Sequence, residues 1–171
     1  PGAPLIVDAK SGVSGAGRTP KQNILFAEVH GNFSPYNIGR SHRHLAEIEQ
    51  VLAAEGSQAG PLVFSPHLLP TDRGILSTVY AQVTDVDAAR AAFTAAYAGE
   101  PLVRVLPDGE LATLRHVVNT PGAALSLTPA GENLLIVVSV IDNLLKGAAS
   151  QAVQNFNLMW NLPETTGLVA C

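Results

Sequence analysis

Apolar residues in this chain fall mostly into short runs, and only three stretches carry helical spacing. The short runs predict strands over 4–8, 25–33, 61–66, 74–83, 101–105, 115–119, 123–128 and 133–141. The first helix is expected over Arg43–Glu55, with Leu45, Ile48, Val51 and Leu52 on one side and Glu47, Glu49 and Gln50 elsewhere. Gly56 follows as a C-terminal cap glycine. The second, Val86–Ala98, starts after Asp85 as N-cap and stops at Gly99. The third, Asn143–Trp160, follows Asp142 as its cap. The pattern alone says α and β elements mixed in one chain.

The third helix has an unusual composition. Gly147, Ala148, Ala149 and Ala152 permit close approach, while Gln151, Gln154, Asn155 and Asn157 are polar without charge. A solvated helix carries Lys and Glu instead. This one either packs against another domain or a ligand, or is buried within its own domain.

Composition narrows the class. The 171 residues suffice for one domain with a real core, and 47% hydrophobic against 14% charged means either a large core or apolar surface reserved for a partner. A net charge of −4 offers no basic footprint for nucleic acid. The longest apolar run, Leu134–Ile141, is strand-sized and too short to span a membrane. The first residue is Pro1 and the single methionine is Met159, so the chain reads as starting within a longer protein, with no signal peptide. A single cysteine, Cys171, makes no internal disulfide and suits a reducing compartment; as the last residue it is a poor nucleophile.

Three stretches hold candidate chemistry. In "LIVDAKSGVSGAGRTP", an apolar run empties into a glycine-rich loop suited to an anion. Gly12, Gly17, Arg18 and Thr19 nearly spell a P-loop, and "LLIVVSVID" ending at Asp142 resembles an acidic Walker-B strand. Arginine stands in the lysine position, however, and Pro20 sits where the phosphate-binding helix would begin. A connector without a ligand is the plain alternative. In "NIGRSHRHLAEIEQ", His42, Arg43 and His44 gather at a helix start, where N–H groups favour anions. Residues i and i+2 diverge on a helix and Arg43 repels a cation, so no metal is expected there. In "SPHLLPTDRGIL", Arg73 is placed to grip a carboxylate or phosphate, or to form a surface ion pair. His30, His67 and His116 read as structural.

The stretches "DAKSGVSGAGR", "HRHLAEIEQ", "PHLLPTDRGIL" and "DNLLKGAASQAVQNFNLM", in this order, resemble the N-acetyl-γ-glutamyl-phosphate reductase family across almost the whole chain. The resemblance implies the second half of such an enzyme. Its chemistry is NADPH-dependent reduction of an acyl phosphate, N-acetylglutamyl 5-phosphate, to a semialdehyde through a cysteine thioester. By resemblance, His42 matches the catalytic histidine. Arg43, His44, Arg73 and, more weakly, Arg18 are substrate contacts. Ser14, Gly15 and Ala16 face the nicotinamide end of the cofactor, and Asn143 resembles the asparagine that orients the carboxamide. The implied fold is the α+β C-terminal domain of glyceraldehyde-3-phosphate-dehydrogenase-like enzymes, a mixed, mostly antiparallel sheet with helices on one face. The other face commonly supports homo-oligomers.

Two departures stand out. Neither the nucleophilic cysteine nor the dinucleotide-binding glycine fingerprint is present, and in the family both lie upstream of the "DAKSG" strand. Residues 1–142 therefore read as the catalytic and oligomerisation domain. Residues 143–171 read as a helix and tail packing on the absent NADP-binding segment, which a separate chain could supply. Alone, the chain is expected to be inactive. Ala46 replaces a usual proline, and "NTPGAALSL" is atypical. The reading implies a cytoplasmic enzyme, or a plastid one in a plant. The competing reading is a non-catalytic anion-binding or assembly domain of the same fold.

Overall fold

The first apolar run continues past Asp8 to form β1 (Leu5–Gly12), because it has hydrogen-bonding neighbours on both sides. In the computed structural model, which describes residues 2–168, it is flanked by β3 (Leu62–Leu69) and β4 (Ile75–Gln82). Next to β4 come β7 (Leu134–Ile141), β6 (Ala123–Pro129) and β5 (Val103–Val105), while the two-residue β2 (Ser34–Pro35) closes the other edge. The seven-stranded order is β2-β3-β1-β4-β7-β6-β5. The pairs β1–β3 and β5–β6 are parallel and the others antiparallel, so the sheet is mixed and mostly antiparallel, as expected.

The two faces differ in cover. Register places Val7, Phe64, Val79, Val137 and Leu125 on one face. There α3 (Val86–Ala96) packs Val86, Ala89 and Phe93 over Leu125, Leu135 and Val137. On the same face α2 (His44–Ala54) lies over β3 and buries Leu45. Asp85 caps α3 by accepting the Ala88 N–H at 2.9 Å. On the opposite face the segment 106–120 covers β6 and β7 through Leu106, Ala112, Leu114 and Val117. Over β1 and β3 that face leaves Ile6 and Val63 exposed, while Phe33 stacks on His67.

Two expected strands are not strands. Residues 25–33 form instead a 3₁₀ turn, Gln22–Ile24, and a short helix α1 (Phe26–Val29). Their apolar residues do not alternate, and Leu25 and Phe26 face solvent without a sheet partner. The expected strand 115–119 is a 3₁₀ turn, Leu114–His116, closed by reciprocal Thr113 and His116 bonds. Val51 of α2 points outward, against expectation, because Leu45 alone anchors that helix deeply.

The third helix also differs. It opens as a π-helical stretch, Leu145–Ala149, and becomes α4 (Ser150–Met159) only afterwards. Gly147 N–H donates to Asp142 O at 2.9 Å and Ala149 N–H to Leu144 O at 3.0 Å. These five-residue closures seat small residues against β7. Pro1 and Cys171 lie outside the described residues. No helix among the described residues is long and apolar enough to cross a membrane.

Leu135, 1% exposed beneath α3, tests the packing of the helix-covered face. Leu135→Ala should destabilise the fold by about 2–5 kcal/mol. That lowers the thermal midpoint by roughly 5–15 °C in calorimetry. A shift under about 2 °C would show that α3 is not seated on this sheet.

Candidate functional site

The glycine-rich loop follows β1 directly and is fastened to the turn 71–74 between β3 and β4. Gly12, Val13 and Ser14 donate their N–H groups to Gly74 O, Thr71 O and Asp72 O at 2.8, 2.8 and 3.2 Å. Val13–Ala16 is a 3₁₀ turn, and Gly17 N–H donates back to Ser14 O at 3.3 Å. The backbone donors expected to cradle an anion are thus turned inward. No phosphate-binding helix follows the loop, which removes the P-loop resemblance. The loop instead offers an outer surface of small residues. Gly12 is required here, because a Cβ would stand 2.9 Å from the Arg73 backbone.

Asn143 binds this assembly from the other side. Its Oδ1 accepts the Gly74 N–H at 2.7 Å, and its Nδ2 donates to Ser14 Oγ at 2.9 Å. Ser14 Oγ donates in turn to Asp72 O. Gly74 adopts φ of +106°, a conformation that favours glycine. The second hydrogen of the Asn143 amide has no partner among the described residues.

Asp142, 0% exposed, accepts four donors. Oδ1 takes Leu144 N–H at 2.8 Å and Leu145 N–H at 3.0 Å; Oδ2 takes Asn119 N–H at 2.8 Å and Arg73 Nη1 at 3.3 Å. Burial pushes this carboxyl up, but the three N–H groups and Arg73 outweigh it and hold Asp142 below the usual range. Arg73 is therefore ion-paired at one end and remains partly exposed.

The histidine cluster is built separately. His42 sits among Tyr36, Phe64 and His44, with ring centroids 5.6, 5.0 and 5.0 Å away. Tyr36 is anchored by its N–H donating to Pro66 O at 3.1 Å. His42 Nδ1 accepts the His44 N–H at 3.3 Å, which leaves Nε2 as its free nitrogen. Arg43 Nε donates to His44 Nε2 at 3.1 Å. Desolvation holds His42 below the ordinary histidine value, with the His44 and Arg43 charges acting the same way. With Nδ1 accepting from His44, the neutral His42 ring carries its proton on Nε2, the nitrogen left free to meet a reacting group.

The structure brings Ser14, Gly15, Ala16, Asn143 and Arg73 to one end of the sheet. His42, Arg43 and His44 gather elsewhere. Phe64, beside His42, pairs with Val7, and Leu69 pairs with Gly12, so these two register points lie roughly 16 Å apart along β1. Arg18 is exposed and joins neither. Tyr36, Phe64 and the Asp142–Arg73 pair are contributions sequence reasoning missed. Only Asp142, an acid ending an apolar strand, gave a signal, and it was read as a cap. His116 and His67 are structural: the latter stacks on Phe33 and lies 3.2 Å from Asp8 Oδ1.

Residues 1–143 match the family described as semialdehyde dehydrogenase, dimerisation domain. The chain is 49% identical to an N-acetyl-gamma-glutamyl-phosphate reductase of Desulforapulum autotrophicum, over 96% of this chain and 48% of that protein. To the reductase of Citrifermentans bemidjiense it is 50% identical, over 96% and 49%. The chain thus spans about half the length of the curated relatives it matches. Aspartate semialdehyde dehydrogenase II of Vibrio cholerae shares the fold, with a TM-score of 0.72 at 14% identity, covering 92% of this chain and 55% of that one. A probable aspartate-semialdehyde dehydrogenase of Pseudomonas aeruginosa gives 0.69 at 19%, with the same coverage.

The environment of His42 is testable by NMR titration of the chain. Its midpoint should lie below about 6.5, the ordinary histidine value. His44→Ala and Arg43→Ala should each raise it by removing an opposing charge. A wild-type midpoint above the ordinary value would contradict this geometry.

Proposed function

The chain belongs to the semialdehyde dehydrogenase family through its dimerisation domain, and from that premise we propose that it is the C-terminal half of an NADPH-dependent reductase. The reaction is conversion of N-acetylglutamyl 5-phosphate to N-acetylglutamate 5-semialdehyde in arginine biosynthesis, and the site of action is the cytoplasm. The observation that carries it is His42, a histidine kept neutral by its surroundings with Nε2 free. In this tautomer Nε2 donates to a thiolate or developing oxyanion, and the ring takes up a thiol proton there only in its other tautomer, once the 3.3 Å Nδ1 contact to His44 is given up. The thiol comes from the N-terminal half of the full-length protein, which also supplies the dinucleotide-binding fold.

The remaining roles follow from placement. Arg43 and His44, exposed beside His42, meet the substrate's anionic groups, as does the free edge of Arg73; Arg18 is a weaker contact. The residues present fit a nicotinamide: the small outer surface of Ser14, Gly15 and Ala16 is exposed or half-buried, and Asn143 Nδ2 holds a spare hydrogen beside it. NADP(H) supplies the hydride when bound. The helix and tail from Asn143 onward pack on the cofactor domain, as the exposed Phe156, Met159 and Trp160 suggest.

The sheet face opposite α2 and α3 suits a second copy of the chain. Ile6 and Val63 are 37% and 43% exposed there, beside Asp8, Lys10 and His67. Val63→Arg should convert a dimer to monomers in sedimentation analysis. A dimer unaffected by it, with the fold intact, would place the interface elsewhere.

The catalytic role is tested in the full-length enzyme. His42→Ala should lower kcat by roughly 10²–10⁴ with little change in substrate KM. His44→Ala should act mainly on KM. An unchanged kcat in His42→Ala would overturn the reading.

A further inference from the structure

We propose that Asp142 is a positioning residue: its buried carboxylate holds the Arg73 guanidinium by one nitrogen so that the remaining edge is presented, pre-oriented, to the anionic end of the substrate. This rests on the reading of Arg73 as a substrate contact. Arg73 Nη1 lies 3.3 Å from Asp142 Oδ2, while Nε and Nη2 have no partner among the described residues. Those two N–H groups form the fork that a carboxylate or phosphate accepts in parallel. The side chain is 35% exposed and its partner 0%, so the guanidinium spans from the interior to the surface.

Two features make Asp142 an anchor and not merely a counter-ion. Its charge is shared with the N–H groups of Asn119, Leu144 and Leu145, so it does not neutralise Arg73 fully. The arginine keeps its attraction for a second anion. An unrestrained arginine also loses about 2 kcal/mol of rotamer entropy when a ligand fixes it. Asp142 removes part of that loss beforehand. The neighbouring residues act in step: Asp142 holds the side chain of Arg73 while Asn143 holds the backbone of Gly74. The strand-to-helix corner thus fixes the arginine and, through Ser14, the loop facing the nicotinamide.

The test uses Asp142→Asn, Arg73→Lys and the double variant in the full-length enzyme, with steady-state kinetics. Arg73→Lys should raise substrate KM by roughly 10-fold or more, because a fork becomes a point contact. Asp142→Asn should raise the same KM by roughly 5- to 20-fold, leaving kcat and the NADPH KM within about 2-fold. The double variant should be no worse than Arg73→Lys alone, within about 2-fold, since both act through one side chain. Additive losses, or equal losses in both KM values and kcat, would reduce Asp142 to a structural role and overturn the proposal. A silent Arg73→Lys would instead remove the substrate-contact reading, and the proposal with it. If Asp142→Asn does not fold, the wild type decides. The Arg73 Nε–H signal, assigned by its loss in Arg73→Lys, should show backbone-like order before substrate is added. A freely mobile Arg73 overturns the proposal.

Discussion

The carboxylate of Asp142 is the constraint on which this end of the molecule depends. A charge with no solvent contact is costly unless several donors surround it, and here four do. The four come from three segments: the region ending at Asn119, the start of the last helical run with Leu144 and Leu145, and the β3–β4 turn through the Arg73 side chain. Because the folded carboxyl titrates below its ordinary range, its stabilisation is fully present above about pH 4. It fades only as the pH falls through the depressed folded value.

The histidine cluster works on the opposite principle. Asp142 is held charged by donors; His42 is held neutral by aromatic walls and neighbouring positive charge. A reaction that consumes an anionic substrate and moves a proton needs both kinds of group. The sheet supplies them at separated points along β1 and β3, where neither perturbs the other's ionisation.

Much of this was legible in the sequence, and the failures have specific causes. Helices α2 and α3 were visible because their caps and apolar spacing agree, as at Asp85 and Gly99. Strands β4 and β7 were visible as apolar runs bounded by turn residues. The segment 25–33 was misread because a short apolar run does not distinguish a strand from an exposed turn of helix. The four motifs located the site residues and, by resemblance, gave most of them roles. They did not show that the loop after Gly12 spends its N–H groups on Thr71, Asp72 and Gly74, since those bonds join distant parts of the chain. Nor did spacing reveal Phe64, a strand residue that walls His42 only because α2 crosses β3.

The last helix shows how a polarity pattern acquires meaning from partners. In α4 the buried positions are Ser150, Gln154 and Asn157, while Val153, Phe156 and Met159 face outward. The inward amides are satisfied: Asn157 Nδ2 donates to Glu164 O at 2.9 Å and Thr166 O at 3.0 Å, and Gln154 bridges Lys146 and Glu164. The helix thus holds its amides on the domain and turns Phe156, Met159 and Trp160 outward as an apolar patch. The same helix is joined to β7 through Asp142 and Asn143. Asp142 and Asn143 thus tie the start of this helical run to Arg73, Gly74 and Ser14, so a single strand-to-helix corner fixes the β3–β4 turn and the loop after β1 together.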